Sequence, residues 1–232
     1  MWLLPTRGRP ELAQQCLDAC MRTHMSAFGI VVACETEPGQ YDNLKLPRNW
    51  ALMKSDLDLQ PVKNMILELF PYEKAYGLVC DDLVPHTKYW DVLMEGAADR
   101  WNLVDCNDQW IVDPKNPYDK NLSLCGAFCW GGELIRTVGW WGFPTVRQAG
   151  NDNAWVDICV KELNTRKHLD YVIIEHQNWR TDKRPKDDTD NWVRDGVNYI
   201  EADFQVFHRW RVSEEPKLIA NKIRAAMEQD SV

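Results

Sequence analysis

The sequence predicts an α/β fold: one domain on a mainly parallel central sheet, helices on both faces, and a helical C-terminal segment over about residues 190–232. Three observations carry that expectation. The chain opens as strand, turn, helix, strand, an order that favours parallel pairing through a right-handed crossover. Residues 76–85, YGLVCDDLVP, have the length and β-branched content of a buried strand and run into two adjacent acids, Asp81 and Asp82. Polar clusters recur just after strand-like runs, where an open sheet gathers ligands at its carboxyl edge. With 232 residues and 45% hydrophobic content the chain can bury a substantial core, and no internal repeat or low-complexity linker divides it.

Element by element, Met1 to Leu4 is a short apolar strand. TRGRPE turns the chain and puts Pro10 at the first helical position, where its missing N–H would be unpaired anyway. Leu12, Cys16, Cys20 and Ala13, Leu17, Met21 recur at helical spacing, predicting a helix over about 10–24. FGIVVA at 28–33 is the second strand. Residues 35–50, with Pro38, Gly39 and Pro47, read as a long loop, and a helix over about 60–69 precedes the strand that delivers Asp81 and Asp82. A helix over 89–98 and a strand over 102–106 follow. GGELIRTVGWWGFP at 131–144 combines a short helix with a Gly/Pro stop, and Trp155, Ile158, Cys159 and Leu163 give helical spacing over 152–163. Residues 171–174 form a strand leading into Glu175 and His176, and 214–229 a terminal helix.

Composition excludes several classes. A formal net charge of −8 and a pI near 5.2 argue against a nucleic-acid coat protein acting through bulk charge. A local basic stretch exists: residues 161–186 carry seven Lys/Arg against four acids. The eight cysteines include no CxxC pair and mostly sit among apolar residues, as free thiols of a reducing compartment do. No signal-like segment precedes Pro5 and no apolar run reaches the roughly 18–20 residues of a membrane span, so a cytoplasmic protein without membrane contact is expected. Most of the twelve tryptophans should pack the core, with some free to stack on sugars or bases.

Adjacent carboxylates at the end of an apolar strand repel each other unless a cation or basic group lies between them. Hard oxygen ligands suit Mg²⁺ or Mn²⁺, which bridge protein carboxylates to phosphates. The plainer alternative is a solvated turn, since Asp is a common turn residue. Thr6, Arg7 and Arg9 follow the first strand and Glu175 and His176 follow a late one, so residues far apart in sequence can meet at one carboxyl edge. Arginine forks fit phosphate, and neutral imidazole can complete an acid-rich shell.

Together LLPTRGRPE (3–11), GLVCDDLVP (77–85), GNDNAW (150–155) and VIIEHQNW (172–179) resemble a GT-A-type glycosyltransferase, in order and spacing similar to small phage-encoded and bacterial members related to glycosyltransferase family 2. The resemblance spans about residues 2–190 and implies a GT-A-like, Rossmann-like domain, a nucleoside-diphosphate sugar donor and Mn²⁺ or Mg²⁺ on a DxD-like motif. By that resemblance Asp82 and His176 are metal ligands, and Asp81 contacts donor ribose or metal. Cys80 stands where many relatives carry a third acid, which leaves open which aspartate binds directly. The same comparison makes Thr6, Arg7 and Arg9 a donor-binding loop, Glu35 the acid that reads nucleobase or ribose, and Asp152 the general base of an inverting transfer. Asp157 is a reserve base, and Asp152 or Asn151 could instead cap a helix. Phage enzymes of this kind glycosylate hydroxymethylated pyrimidines, so DNA with modified pyrimidines is the expected acceptor, served by the 161–186 stretch and Arg209-Trp210-Arg211. The rivals are a glycan or protein acceptor, a non-catalytic carbohydrate-binding protein of the same fold, and a nucleotidyltransferase.

Overall fold

A computed structural model describes residues 1–25, 28–109, 126–177, 179, 183–190 and 197–230. Strand β1 (Trp2–Arg7) turns through Gly8 into α1 (Pro10–Thr23), with Pro10 in the first turn as expected, and β2 (Gly29–Cys34) returns parallel to β1. Next come β3 (Trp50–Lys54), α2 (Leu59–Leu69), β4 (Ala75–Val79), β5 (Leu83–Pro85), α3 (Trp90–Ala98) and β6 (Leu103–Asn107). Further along lie β7 (Ala127–Gly131), α4 (Gly132–Val138), α5 (Asn151–Val156), a π-helical stretch (Asp157–Glu162), β8 (Arg166–His176), α6 (Val197–Arg211) and α7 (Glu215–Asp230). Among the described residues eight strands form one sheet in the order β3-β2-β1-β4-β7-β6-β8-β5. Strands β1 to β4 run parallel, β6 and β8 pair parallel, and only β7 and the short β5 run against their neighbours.

Alternation along β1 explains the layers. Trp2 and Leu4 face one side, with Cys16 and Leu17 of α1 and Trp90 and Met94 of α3; Met1 and Leu3 face the other, with Val62 and Ile66 of α2, Ile135 of α4 and Ile223 of α7. Both faces are therefore covered, as a mainly parallel sheet requires. Trp2 and Trp90 pack edge to face, 4.4 Å between centroids, at the centre of the first layer.

Several boundaries depart from expectation. The helix expected over 152–163 is α-helical only to Val156; Leu163 N then donates to Ile158 O, the longer loop of a π-turn. Strand β8 begins at Arg166, so half of the supposed basic surface is sheet, and a register shift after Cys106 brings Asn107 opposite Ile173. Strands β3, β5 and β7 were not anticipated, and among the described residues the helical segment expected over about 190–232 consists of two helices, α6 and α7. The seven described cysteines are free thiols, and Cys125 lies outside the described residues. No helix among the described residues is long and apolar enough to cross a membrane.

Candidate functional site

The carboxyl ends of β1 to β4 and of β8 open onto one cleft of about 800 Å³. Six of the eight expected site residues line it: Thr6, Arg7, Arg9, Asp81, Asp82 and His176. The turn after β4 is closed by Leu83 N donating to Cys80 O, which leaves Asp81 and Asp82 at the cleft yet only 7% and 9% exposed. Thr6 Oγ1 donates to Asp81 Oδ2 at 2.8 Å, and the Tyr41 hydroxyl, carried in by the long 35–49 loop, sits 3.0 Å from Thr6 Oγ1 and accepts from Arg9 N. Antiparallel pairing of β5 with β8 sets Leu83 opposite His176, and Gln177 N donates to Asp82 O at 2.7 Å. The imidazole Nε2 consequently lies 3.3 Å from Asp82 Oδ2.

Electrostatics separate the two acids. Burial, followed by repulsion from Asp82, pushes Asp81 up to about 7, against the pull of Arg9 and Thr6. Burial also opposes charge on Asp82, but His176, Arg9 and Arg184 outweigh it and hold the carboxyl below its ordinary range. Burial disfavours the His176 imidazolium, yet hydrogen bonds with Asp108 and Asp82 prevail and push it up to about 9.

A segment that begins in the basic 161–186 stretch and runs beyond it completes the cleft. In KRPKDDTD (183–190), Asp187 accepts from Arg9 Nε and Nη2 at 2.9 and 2.8 Å, and Asp190 Oδ1 lies 2.6 Å from Arg9 Nη2. Arg184 grips Asp190 at 2.6 and 2.8 Å and approaches Asp82 Oδ2 at 3.7 Å. Thr189 Oγ1 donates to Arg7 O at 2.7 Å, fastening the segment over the β1 turn. Only the crowding of opposite charges within eight residues signalled this in sequence.

Two expected site residues lie elsewhere. Glu35 pairs with Lys54 Nζ at 2.9 Å beside a smaller recess with Ser55 and Asp56. Asp152 is exposed on the first turn of α5 and is absent from the cleft lining, but it acts electrostatically on buried Lys63 and on Cys80, which does line the cleft. Neither Asp152 nor Asn151 caps α5: Gly150 holds the cap position without a side-chain bond, and Asn151 Oδ1 accepts from Phe143 N instead. Asp157 is 5% exposed and paired with Lys161 and Arg211, which corrects its reading as a reserve base.

Trp141 and Trp155 are fully buried, joined by Trp155 Nε1 donating to Trp141 O, the core packing expected of most tryptophans. Trp179 does line the cleft. The cations of 161–186 are largely spent within the fold: Lys161 on Asp157, Arg166 on Asp105, Lys183 on Glu175 and Arg184 on Asp190. Arg180 lies outside the described residues. In the Arg209-Trp210-Arg211 stretch, Trp210 packs on Phe143 and Arg211 holds Asp157.

No three His, Cys, Asp or Glu side chains converge as a ready-made metal site among the described residues. The ionised carboxyl of Asp82 nevertheless fits a hard cation held jointly with substrate, because Mg²⁺ is commonly bound through one or two carboxylates and fills its shell with phosphate and water oxygens. His176 joins it only on giving up the proton that Asp108 and Asp82 hold on it.

No protein-family model and no curated protein matches the chain. Solved structures do. S. aureus TarS superposes with a TM-score of 0.54 at 11% identity, over 75% of this chain and 35% of TarS. Its 1–349 fragment in complex with UDP-GlcNAc gives 0.52 at 11% identity, over 75% and 56%. Glucosyl-3-phosphoglycerate synthase from Mycobacterium tuberculosis, in complex with Mg²⁺ and UDP, gives 0.52 at 11% identity, over 76% and 70%. The chain thus spans about a third of the TarS structure and over half of its fragment. At such identities the likeness speaks to the fold, and the fold is the GT-A-like one implied by the sequence motifs.

Proposed function

We propose that the protein transfers a sugar from a nucleoside-diphosphate donor to an acceptor hydroxyl, with inversion at the anomeric carbon and dependence on a divalent cation. The observation that carries this reading is the meeting of Asp82, His176 and Arg9 in one cleft at the carboxyl edge of a GT-A-like sheet, with Arg184 3.7 Å from Asp82. The ligands named for two structures of similar fold, UDP-GlcNAc and Mg²⁺ with UDP, support the same donor chemistry.

Arg9 exchanges its forked contact with Asp187 for oxygens of the leaving diphosphate, and Arg184, held by Asp190 beside Asp82, adds a second positive charge. Asp82 and His176 are the residues to hold Mn²⁺ or Mg²⁺, which supplies positive charge against the departing diphosphate. Asp81, bonded by Thr6, orients the ribose side of the donor. Asp152, the base implied by the sequence resemblance, takes the proton of the acceptor hydroxyl; it lies outside the cleft lining, and what supports the assignment is its electrostatic influence on Cys80 of the cleft wall.

The acceptor implied by the sequence resemblance is a hydroxymethylated pyrimidine in DNA. A second reading, a glycan or protein hydroxyl, is favoured by the pairing of most cations in the 161–186 stretch with acids of the fold. The test is mass spectrometry of modified DNA, oligosaccharide and peptide acceptors incubated with a panel of nucleotide sugars, with Mn²⁺ or with EDTA. Transfer that requires Mn²⁺ supports the proposal, and the acceptor that gains mass decides between the two readings. Pyrophosphate release from a nucleoside triphosphate would reassign the protein as a nucleotidyltransferase. Donor binding with no transfer or hydrolysis would mark a non-catalytic binder. In an active protein, Asp152→Asn should leave donor affinity within about twofold and lower transfer by roughly two to four orders of magnitude.

A further inference from the structure

Helix α6 is fastened to the site by one buried carboxylate. Asp203, 4% exposed, accepts hydrogen bonds from three consecutive backbone amides: Arg147 N at 3.1 Å to Oδ1, and Gln148 N and Ala149 N at 2.8 and 2.9 Å to Oδ2. The next residue, Gly150, has φ +83°, and a Cβ there would lie 3.0 Å from Phe207 Cβ of the same helix. Helix α2 holds the loop on another side, Gln60 N donating to Arg147 O at 3.0 Å and Gln60 Nε2 to Gln148 O at 2.9 Å. The clamped loop puts Gln148 on the cleft wall and leads within three residues to Asp152. On α6 itself Ile200 and Glu201, just before Asp203, line the same cleft.

Adhesion alone does not require this charge. Phe207 and Trp210 already dock α6 on Phe143, and well-packed apolar contacts serve docking at least as well as a buried ion. A carboxylate facing three amides in succession adds direction: it fixes the path of one short loop and satisfies three of its backbone N–H groups ahead of α5.

We propose that Asp203 is a positioning residue for sugar transfer, holding the 147–150 loop so that Gln148 and Asp152 keep their places relative to the cleft. This rests on the proposed transferase reaction with Asp152 as base. It assigns α6 a role in the reaction, not only in the core.

The experiment compares Asp203→Asn and Asp203→Ala in the full chain and in an Asp152→Asn background. It reads UDP affinity with Mn²⁺ by calorimetry, transfer rate, and amide hydrogen exchange at residues 147–149. Expected are UDP affinity within twofold of the parent, transfer lowered at least tenfold by Asp203→Asn and further by Asp203→Ala, and faster exchange at the three amides. In the Asp152→Asn background the Asp203 substitutions should cost little more. Equal fold-losses in both backgrounds, UDP affinity falling in step with transfer, or transfer within twofold of the parent would each overturn the positioning role. If Asp203→Ala does not fold, Asp203→Asn carries the comparison. Absence of transfer by the unsubstituted protein strikes the transferase reading instead, and the positioning role falls with it.

Discussion

The contact between His176 Nε2 and Asp82 Oδ2 makes two predictions at the scale of single residues. Asp82→Ala should abolish Mn²⁺-dependent UDP binding measured by calorimetry; unchanged affinity would remove Asp82 from the site. The second concerns pH in the cation-free protein. His176 is raised from 6.5 to about 9, so its contribution to stability is complete below about pH 6.5 and disappears as pH rises through 9. The lowered Asp82 carboxyl makes its own contribution fade only in acid. His176→Gln should therefore destabilise the protein more at pH 6 than at pH 10, by up to roughly 3 kcal/mol in urea denaturation. Equal losses at both pH values would contradict the assigned partners. Asp81, Asp82 and His176 were legible because each ends or follows a strand-like run, and strands converge at one edge of an open sheet. Arg184, Asp187 and Asp190 were not, because their role depends on the chain crossing back over the β1 turn from nearly two hundred residues away.

At the scale of elements, apolar periodicity located the parts that bury a whole face. It located β1, α1, β2, α2, β4 and α3 and missed β3, whose Trp50–Lys54 run is buried only at its first residue. It missed β7 because AFCWG is too short and glycine-bounded to stand out, and it gave α6 no bounds within the helical C-terminal segment because tertiary contacts, more than a clean apolar stripe, hold that helix. The β1–β4 pairing has its own test. Gly77 lies opposite Trp2, and a Cβ at Gly77 would come 2.3 Å from the Trp2 ring, itself pinned against Trp90. Gly77→Ala should cost about 1–3 kcal/mol by overpacking, read as a lowered urea midpoint with unchanged slope. A midpoint equal to the parent's would mean that the two strands are not so closely apposed.

For the whole molecule, the sequence conveyed the layered plan but treated residues beyond about 190 as an extension. The described ones, 197–230, pack into the core: Phe207 is 2% exposed, and Ala220 and Ile223 are fully buried. Deleting residues 197–230 uncovers apolar surface on α4, α5 and the π-helical stretch. It should give a protein that is insoluble or lacks a cooperative thermal transition, whereas a sharp transition near the parent's would make the tail dispensable. Around the cleft, Asp58, Asp81, Asp82, Asp187, Asp190 and Glu201 stand against Arg7, Arg9, Arg184 and His176, six potential negative groups facing four potential positive ones. In a chain of net charge −8 such a cavity exerts no long-range pull on an incoming anion. Capture then becomes an exchange of partners at short range, and the speed of encounter should rise as added salt screens the repulsion.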